Sequence, residues 1–277
     1  MSQMPSERIA WHRGDLSPLS EIFIPATDRG FEHGLGLFET MRGQNSKVPL
    51  WPWHHRRLVG SAAALGLVLD ESRLPGPADF ASLIRANGLE QASCRLRLVL
   101  TGGTADSAGE TYVVATPLEP MNIEGLKLAD DFWPVDNRDT LVRHKSLNYW
   151  ARRLAHERAA ASGADDALSQ DQAGAIWESA RSALFLVVSG KWFAPPANGP
   201  MLASVAAGAI ERLLNEPGQP GLTRRIITPE ILAGADEVIL ANAVRGPMSV
   251  SSWRDNRYDL AGPGFTSIRT LWRSEWF

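Results

Sequence analysis

Cysteine is almost missing from this 277-residue chain: Cys94 stands alone, which excludes an intrachain disulfide and a cysteine-built zinc site and fits a reducing compartment. Charge of one sign is not in excess. With 28 Lys and Arg against 31 Asp and Glu, and a pI near 6.1, the chain carries no electrostatic footprint for nucleic acid or an anionic membrane, although local patches for small anions stay open. Long apolar runs are also lacking. The strongest, Ala183–Val188, is far too short to span a bilayer, and residues 1–8 have no apolar centre of the kind a signal peptide needs. Repeats and low-complexity tracts are absent. What is present is 44% hydrophobic and 21% charged residues, enough to bury a large core in one big domain or two modest ones. A cytoplasmic, metal-free protein is the expectation.

Periodicity and turn residues divide the chain. Short alternating or apolar runs at 8–13, 21–24, 37–42 and 48–51 predict strands separated by Gly, Pro, Asp and Asn. Pro52 near a first turn, with Leu58, Ala62 and Leu65 on one face, predicts a helix over 53–65. A second helix at about 78–87 and a hairpin of 94–101 and 111–116 around Gly102-Gly103 follow. The proline-rich stretch after Thr116 predicts a link at 118–124 between a small α+β domain, 1–117, and a larger α/β barrel-like domain, 125–277, that carries Lys145. There, Leu147, Ala151, Leu154, Arg158 and Ala161 recur at helical spacing up to Gly163, placing Lys145 at the start of a rigid helix. Residues 176–188 read as one strand, 201–214 as a helix opened by small residues, and 236–250 as a buried strand ending in a turn.

Three features carry chemistry. Lys145 follows Arg143 and His144 and precedes an amphipathic helix. Both surroundings disfavour an ammonium, so part of this lysine can be a free amine that attacks carbonyl carbon, a use met most often with pyridoxal phosphate. A solvated lysine at a helix start is the plain alternative. Glu178 is a carboxylate inside an apolar run, where an edge-strand charge is the plain reading. Glycines 30, 34 and 36 permit close backbone approach, but Glu39 stands where a dinucleotide loop needs its third glycine, and the residues beyond it read as strand rather than helix.

The stretch Asp28-Arg-Gly-Phe, followed by Gly34-Leu-Gly-Leu-Phe-Glu-Thr-Met-Arg42, resembles the opening signature of class IV aminotransferases. These form the pyridoxal phosphate fold type IV group, with D-amino acid and branched-chain aminotransferases and aminodeoxychorismate lyase among them. The likeness runs to about Val250. It implies a two-domain α+β and α/β architecture, a pyridoxal 5'-phosphate cofactor, a homodimer and small amino and 2-oxo acid substrates. His54-His55-Arg56-Arg57-Leu58 resembles the family's H-x-x-R-L pattern, which makes Arg57 the phosphate ligand; a guanidinium fork suits two phosphate oxygens. Glu178 heads a run, continued by Ser179, Ser182 and Phe185, that resembles the family's pyridine-nitrogen segment, and it lies 33 residues past Lys145, close to the family spacing.

By the same resemblance Lys145 is the catalytic amine, the hydroxyls of Ser179 and Ser182 face phosphate, and the amides of Val205 and Ala206 take the place of a G-I-T-R helix start. Ala243 and Val244, beside an Ala241-Asn242-Ala243 stretch like that of lyase-like members, border phosphate and substrate. Phe31 stands where D-amino acid aminotransferases carry a tyrosine, and Gly102 where an arginine often catches the substrate carboxylate; Arg95 and Arg97 are candidates to compensate. The activity implied is amino transfer between an amino acid or amine and a 2-oxo acid. Aminodeoxychorismate lyase, which eliminates pyruvate to give p-aminobenzoate, is the alternative. A catalytically idle binding protein is a third, motivated by the lost hydroxyls at Ala180 and Ala206.

Overall fold

The computed structural model describes residues 7–104, 107–121 and 125–277; residues 1–6 and residues 122–124 of the expected link lie outside the described residues. The chain forms two compact units, Met1–Pro120 with Lys145–Asn148, and Met121–His144 with Tyr149–Phe277.

The first unit contains β1 (Ile9–His12), β2 (Asp15–Pro18), α1 (Arg29–His33), β3 (Gly36–Gly43), α2 (Trp51–Ala64), α3 (Pro77–Ala86), β4 (Cys94–Thr101) and β5 (Thr111–Pro117). Its strands pair antiparallel in the order β2-β1-β5-β4-β3. Alternation along β4 exposes Arg95 and Arg97 and buries Leu96 and Leu98, because successive side chains point to opposite faces. The buried face, with Leu37, Met41, Leu100 and Val113, packs on Leu58 of α2 and Phe80, Leu83 and Ile84 of α3. Each such buried aliphatic or aromatic side chain contributes roughly 1.5–3 kcal/mol.

Residues 145–148 belong to this unit, which corrects their placement in the larger domain. Phe38 N donates to Lys145 O and Leu147 N to Gly36 O, both at 2.9 Å, and Leu37 pairs with Ser146. The segment thus covers the outer edge of β3 as a short extended piece, satisfying amides an edge strand would leave bare. Gly36 permits this: a Cβ there would sit 2.6 Å from both Leu147 Cδ1 and Leu100 O. Two further expectations change. The apolar 48–51 run is a turn whose Trp51 N donates to Val48 O at 3.0 Å, and Pro52 fits the first turn of a helix that already starts at Trp51. The strand expected at 21–24 is replaced by β2, since the chain doubles back on β1 earlier than alternation alone could indicate.

The second unit contains β6 (Leu126–Leu128), β7 (Trp133–Pro134), α4 (Trp150–Ala161), β8 (Leu168–Gln170), β9 (Ile176–Ser179), β10 (Ala183–Val188), β11 (Lys191–Ala194), α5 (Val205–Leu214), β12 (Leu222–Arg224), α6 (Pro229–Ala233), β13 (Glu237–Asn242), β14 (Gly246–Trp253), β15 (Asn256–Arg257) and α7 (Pro263–Trp276). The sheet runs β15-β14-β13-β10-β9-β8-β7, with β11 beside β10, β12 beside β11 and β6 beside β14. Most pairings are antiparallel, with parallel ones at β6/β14, β7/β8 and β11/β12, so both units are α+β. Leu128, Leu184, Leu186, Leu240, Val250 and Trp253 form the core. No helix among the described residues is long and apolar enough to cross a membrane.

Here too the apolar runs conceal turns. The single strand expected at 176–188 is β9 and β10, folded back at Ser179-Ala180-Arg181-Ser182, where Ser179 Oγ accepts from Ser182 N at 2.9 Å. Side-chain oxygens of Ser offer the backbone such turns. The run at 236–250 is likewise the hairpin β13/β14. Helix α4 begins at Trp150 rather than at the lysine, because main-chain pairing with β3 keeps 145–148 extended.

Candidate active site

On β3 the two faces carry different chemistry. Phe38 and Thr40 share one face with Arg97 and Val99 of β4, their register partners being Val99 for Phe38 and Arg97 for Thr40. The ring of Phe38 carries two cations, Lys145 Nζ at 4.4 Å and the Arg97 guanidinium at 4.0 Å from its centroid. Cations are drawn to an aromatic face. The lysine amine is thereby held by its backbone on one strand and by an aromatic ring beneath it, beside an arginine.

The opposite face presents Glu39 to α2. His54 and Arg57, three residues apart on that helix, meet this carboxylate together: Arg57 Nε donates to Oε1 at 2.8 Å, Arg57 Nη2 to Oε2, and His54 Nδ1 lies 2.6 Å from Oε2. Burial works to raise the pKa of Glu39, but the charges and hydrogen bonds of Arg57 and His54 overcome it and bring the pKa down to about 2. His54 is itself pushed down by burial, against the pull of Glu39, with the charges of Arg57 and Lys145 adding to the depression; neutral, it donates from Nδ1. Arg57 is therefore held in one orientation by an ionised partner.

In the second unit Glu178 lies in β9, opposite Ala183 of β10. Its side chain is 3% exposed, and it is ion-paired with Arg152 of α4. Both contacts fall on one oxygen: Arg152 Nη2 and the Leu202 amide, the latter at 2.8 Å, donate to Oε1. Oε2 has no partner among the described residues. Glu178 is also held by its main chain, its amide donating to Ser169 Oγ at 3.2 Å and its carbonyl accepting from the same hydroxyl at 3.1 Å.

Polar groups at two further places in this unit, the start of α5 and the pair Ser182 and Asn242, have hydrogen bonds that fix their direction. Ser204 caps α5 by accepting from Ala207 N at 3.2 Å, which leaves the amides of Val205 and Ala206 without partners among the described residues; helix-start amides of this kind attract anions. Ser182 Oγ accepts from Asn242 Nδ2 at 3.1 Å, so its own hydrogen is left to donate. Asn242 Oδ1 also gathers the amides of Val244 and Arg245, at 3.1 and 2.9 Å.

The Val244 amide is thus used within the turn, while Ala243 stands at the tip of the same turn. Ser179 takes a different part from the one expected. Its hydroxyl donates to buried Asp166 at 2.9 Å and shapes the β9–β10 turn instead of facing an anion. Phe31, on α1, is 76% exposed. Gly102 has no room for a side chain, since a Cβ would lie 2.4 Å from Leu35 O and 3.2 Å from Arg29 Cβ.

The contacts made by Glu39, His54, Arg152 and Asn242 were not foreseen from the sequence, although Glu39, His54 and Asn242 lie in motifs noted there. For the first two a signal existed: Glu39 falls on the buried parity of β3, and His54 shares a helix face with Arg57. For Arg152, on a helix rich in arginine, there was none.

The donor set fits pyridoxal phosphate. A buried carboxylate with one oxygen open suits a protonated ring nitrogen, an amine suits an aldehyde, and a guanidinium, a hydroxyl and helix-start amides suit a phosphate.

The family model described as "Amino-transferase class IV" matches residues 36–253. A protein of Methanocaldococcus jannaschii with the provisional name branched-chain-amino-acid aminotransferase is 27% identical over 229 residues, 78% of each chain. D-alanine aminotransferase of Staphylococcus aureus is 25% identical over 243 residues, 83% of each. Among solved structures, the branched-chain aminotransferase of Thermoproteus uzoniensis superposes with a TM-score of 0.87 at 22% identity, over 97% of this chain and 94% of that one.

Proposed function

The chain belongs to the class IV amino-transferase family, and from that premise we propose how its residues divide the work of a pyridoxal phosphate-dependent aminotransferase, which moves an amino group between an amino acid and a 2-oxo acid. Bound pyridoxal phosphate supplies an aldehyde for amines and a ring that withdraws electrons from the substrate carbon. Lys145 Nζ would hold its aldehyde carbon and, once freed, would serve as the base that moves the proton at the amino-bearing carbon of the substrate. Glu178 would meet the ring nitrogen through Oε2. Arg57, oriented by Glu39, would take phosphate oxygens, with the Ser182 hydroxyl and the amides of Val205, Ala206 and Ala243 as further donors.

The observation that carries this reading is the pair of cations on Phe38: an amine fixed at Lys145 and, on the same ring, an arginine suited to a carboxylate. We assign Arg97 to the substrate carboxylate, the role Gly102 has no space to fill. Phe31 would border the substrate from α1. The lyase reading draws on the Ala241-Asn242-Ala243 stretch, but Asn242 is occupied in organising its own turn. A homodimer in the cytoplasm is expected from the family likeness and the reduced, lone cysteine.

Purified protein supplied with pyridoxal phosphate, a panel of D- and L-amino acids and a 2-oxo acid tests the reading. Amino transfer should be seen, with neither pyruvate nor p-aminobenzoate formed from aminodeoxychorismate. The reverse pattern would make it a lyase, and a colourless protein unaffected by added cofactor would make it an idle binder.

A further inference from the structure

We propose that Arg152 is a positioning residue that keeps the shared proton on the cofactor's ring nitrogen rather than on Glu178, an inference that rests on the reading of Glu178 given above. The geometry of the ion pair is one-sided. Arg152 Nη2 and Leu202 N both occupy Oε1, so the carboxylate cannot rotate to share its oxygens, and only Oε2 is left for a ring N–H. Arg152 is pinned in its turn. Its side chain is 11% exposed, its guanidinium lies 5.5 Å from the centre of the Trp133 ring, and Nη2 also donates to Val142 O at 3.4 Å.

A glutamate and a pyridine nitrogen in contact hold one proton between them, and the proton sits either on carbon-bound oxygen, leaving both groups neutral, or on nitrogen, leaving an ion pair. Burial favours the neutral arrangement, because charged forms lose hydration. A fixed cation touching Oε1 reverses that preference: it meets the carboxylate directly and the ring nitrogen only at the far side of that carboxylate, and Coulomb energy falls with distance. Arginine suits the task because it stays charged at every working pH. The electron-withdrawing strength of the ring therefore depends on a residue that touches neither substrate nor cofactor.

The test uses holoenzyme rebuilt with cofactor carrying nitrogen-15 in the ring, whose chemical shift reports protonation directly. The native protein and Arg152→Lys should both give the protonated signal. Arg152→Gln should move it toward the unprotonated value, with kcat falling roughly 10- to 100-fold, as one to two pKa units imply, and KM for the amino donor little changed. In Arg152→His the ring signal should follow pH, protonated while the histidine is charged and lost when it is neutral; this variant serves if Arg152→Gln does not fold. An unchanged protonated signal in Arg152→Gln, or a pH-independent one in Arg152→His, overturns the proposal while leaving the aminotransferase reading in place. A native protein that takes up no labelled cofactor overturns both.

Discussion

Arg57 and Glu39 meet at two points, Nε on Oε1 at 2.8 Å and Nη2 on Oε2, with the guanidinium 10% exposed and the carboxylate 2%. A pair this deeply buried is costly to break one-sidedly, because the survivor is left charged without a partner. Glu39→Gln is expected to destabilise the protein by about 3–5 kcal/mol in urea unfolding and to loosen phosphate retention, seen as faster cofactor loss on dialysis. A variant as stable and as tightly loaded as the native chain would show that Glu39 neither supports nor aims Arg57.

Acid should act through the same cluster in two stages. The folded-state pKa of His54 lies below its ordinary value, so the unfolded chain binds the proton first, and stability falls as pH drops below about 6.5. Glu39 has a depressed value of about 2; its contribution is complete above the ordinary carboxylate value and is lost as pH falls from there toward 2, on the order of 3 kcal/mol in all. Denaturant midpoints measured from pH 8 to 3 should decline in that order. Replacement of His54 by Gln should flatten the upper stage and reduce the lower one without abolishing it, since Arg57 still holds Glu39 ionised.

Asp166 behaves oppositely. Burial raises its pKa, only partly opposed by Arg181, Ser179 and neighbouring groups, so the folded state holds the proton more tightly and loses stability as pH rises through the folded value. Asp166→Asn keeps an acceptor for Ser179 without the buried charge. Its melting temperature should exceed the native one at pH 8, with the gain shrinking on acidification into the ordinary Asp range; a constant offset at all pH values would count against this.

Arg97→Met should raise KM for the 2-oxo acid roughly 10- to 100-fold, the scale of a charged hydrogen bond, with kcat changed little. Should kcat fall instead while KM holds, Arg97 acts on the chemistry through Lys145 and not on the carboxylate.

Lys145→Ala removes the amine but not the main-chain bonds between Lys145 O and Phe38 N and between Leu147 N and Gly36 O, so circular dichroism should be native. Transamination should drop by roughly 10²–10⁴-fold or more, and borohydride should no longer fix the cofactor to the protein. Turnover at the native rate would dismiss this lysine as the reacting amine.

Legibility differed by range. The alternation of Arg95, Leu96, Arg97 and Leu98 announced β4 and its buried face, and the helical spacing around Leu58 announced α2, because both patterns depend on residues two to four positions apart. Lys145, Glu178 and Arg57 were proposed from short motifs. The breaks at 179–182 and 243–245 were not: residues buried on both flanks give one continuous apolar run whether the chain continues or folds back, and the serine and asparagine bonds that turn it are visible only once folded.

By itself, then, the sequence determined elements such as α2, β4 and β5 and offered the residue types of the proposed chemistry, since hydrophobic period and local turn chemistry act over a few residues. Only the tertiary structure decided that Lys145 lies on the edge of β3, that Glu39 serves Arg57, and that Arg152 takes one oxygen of Glu178 and leaves the other. Those partners stand 18 to 107 positions apart, and the strength of a hydrogen bond or ion pair depends on how separate elements pack, for which the order of residues along a chain holds no local pattern.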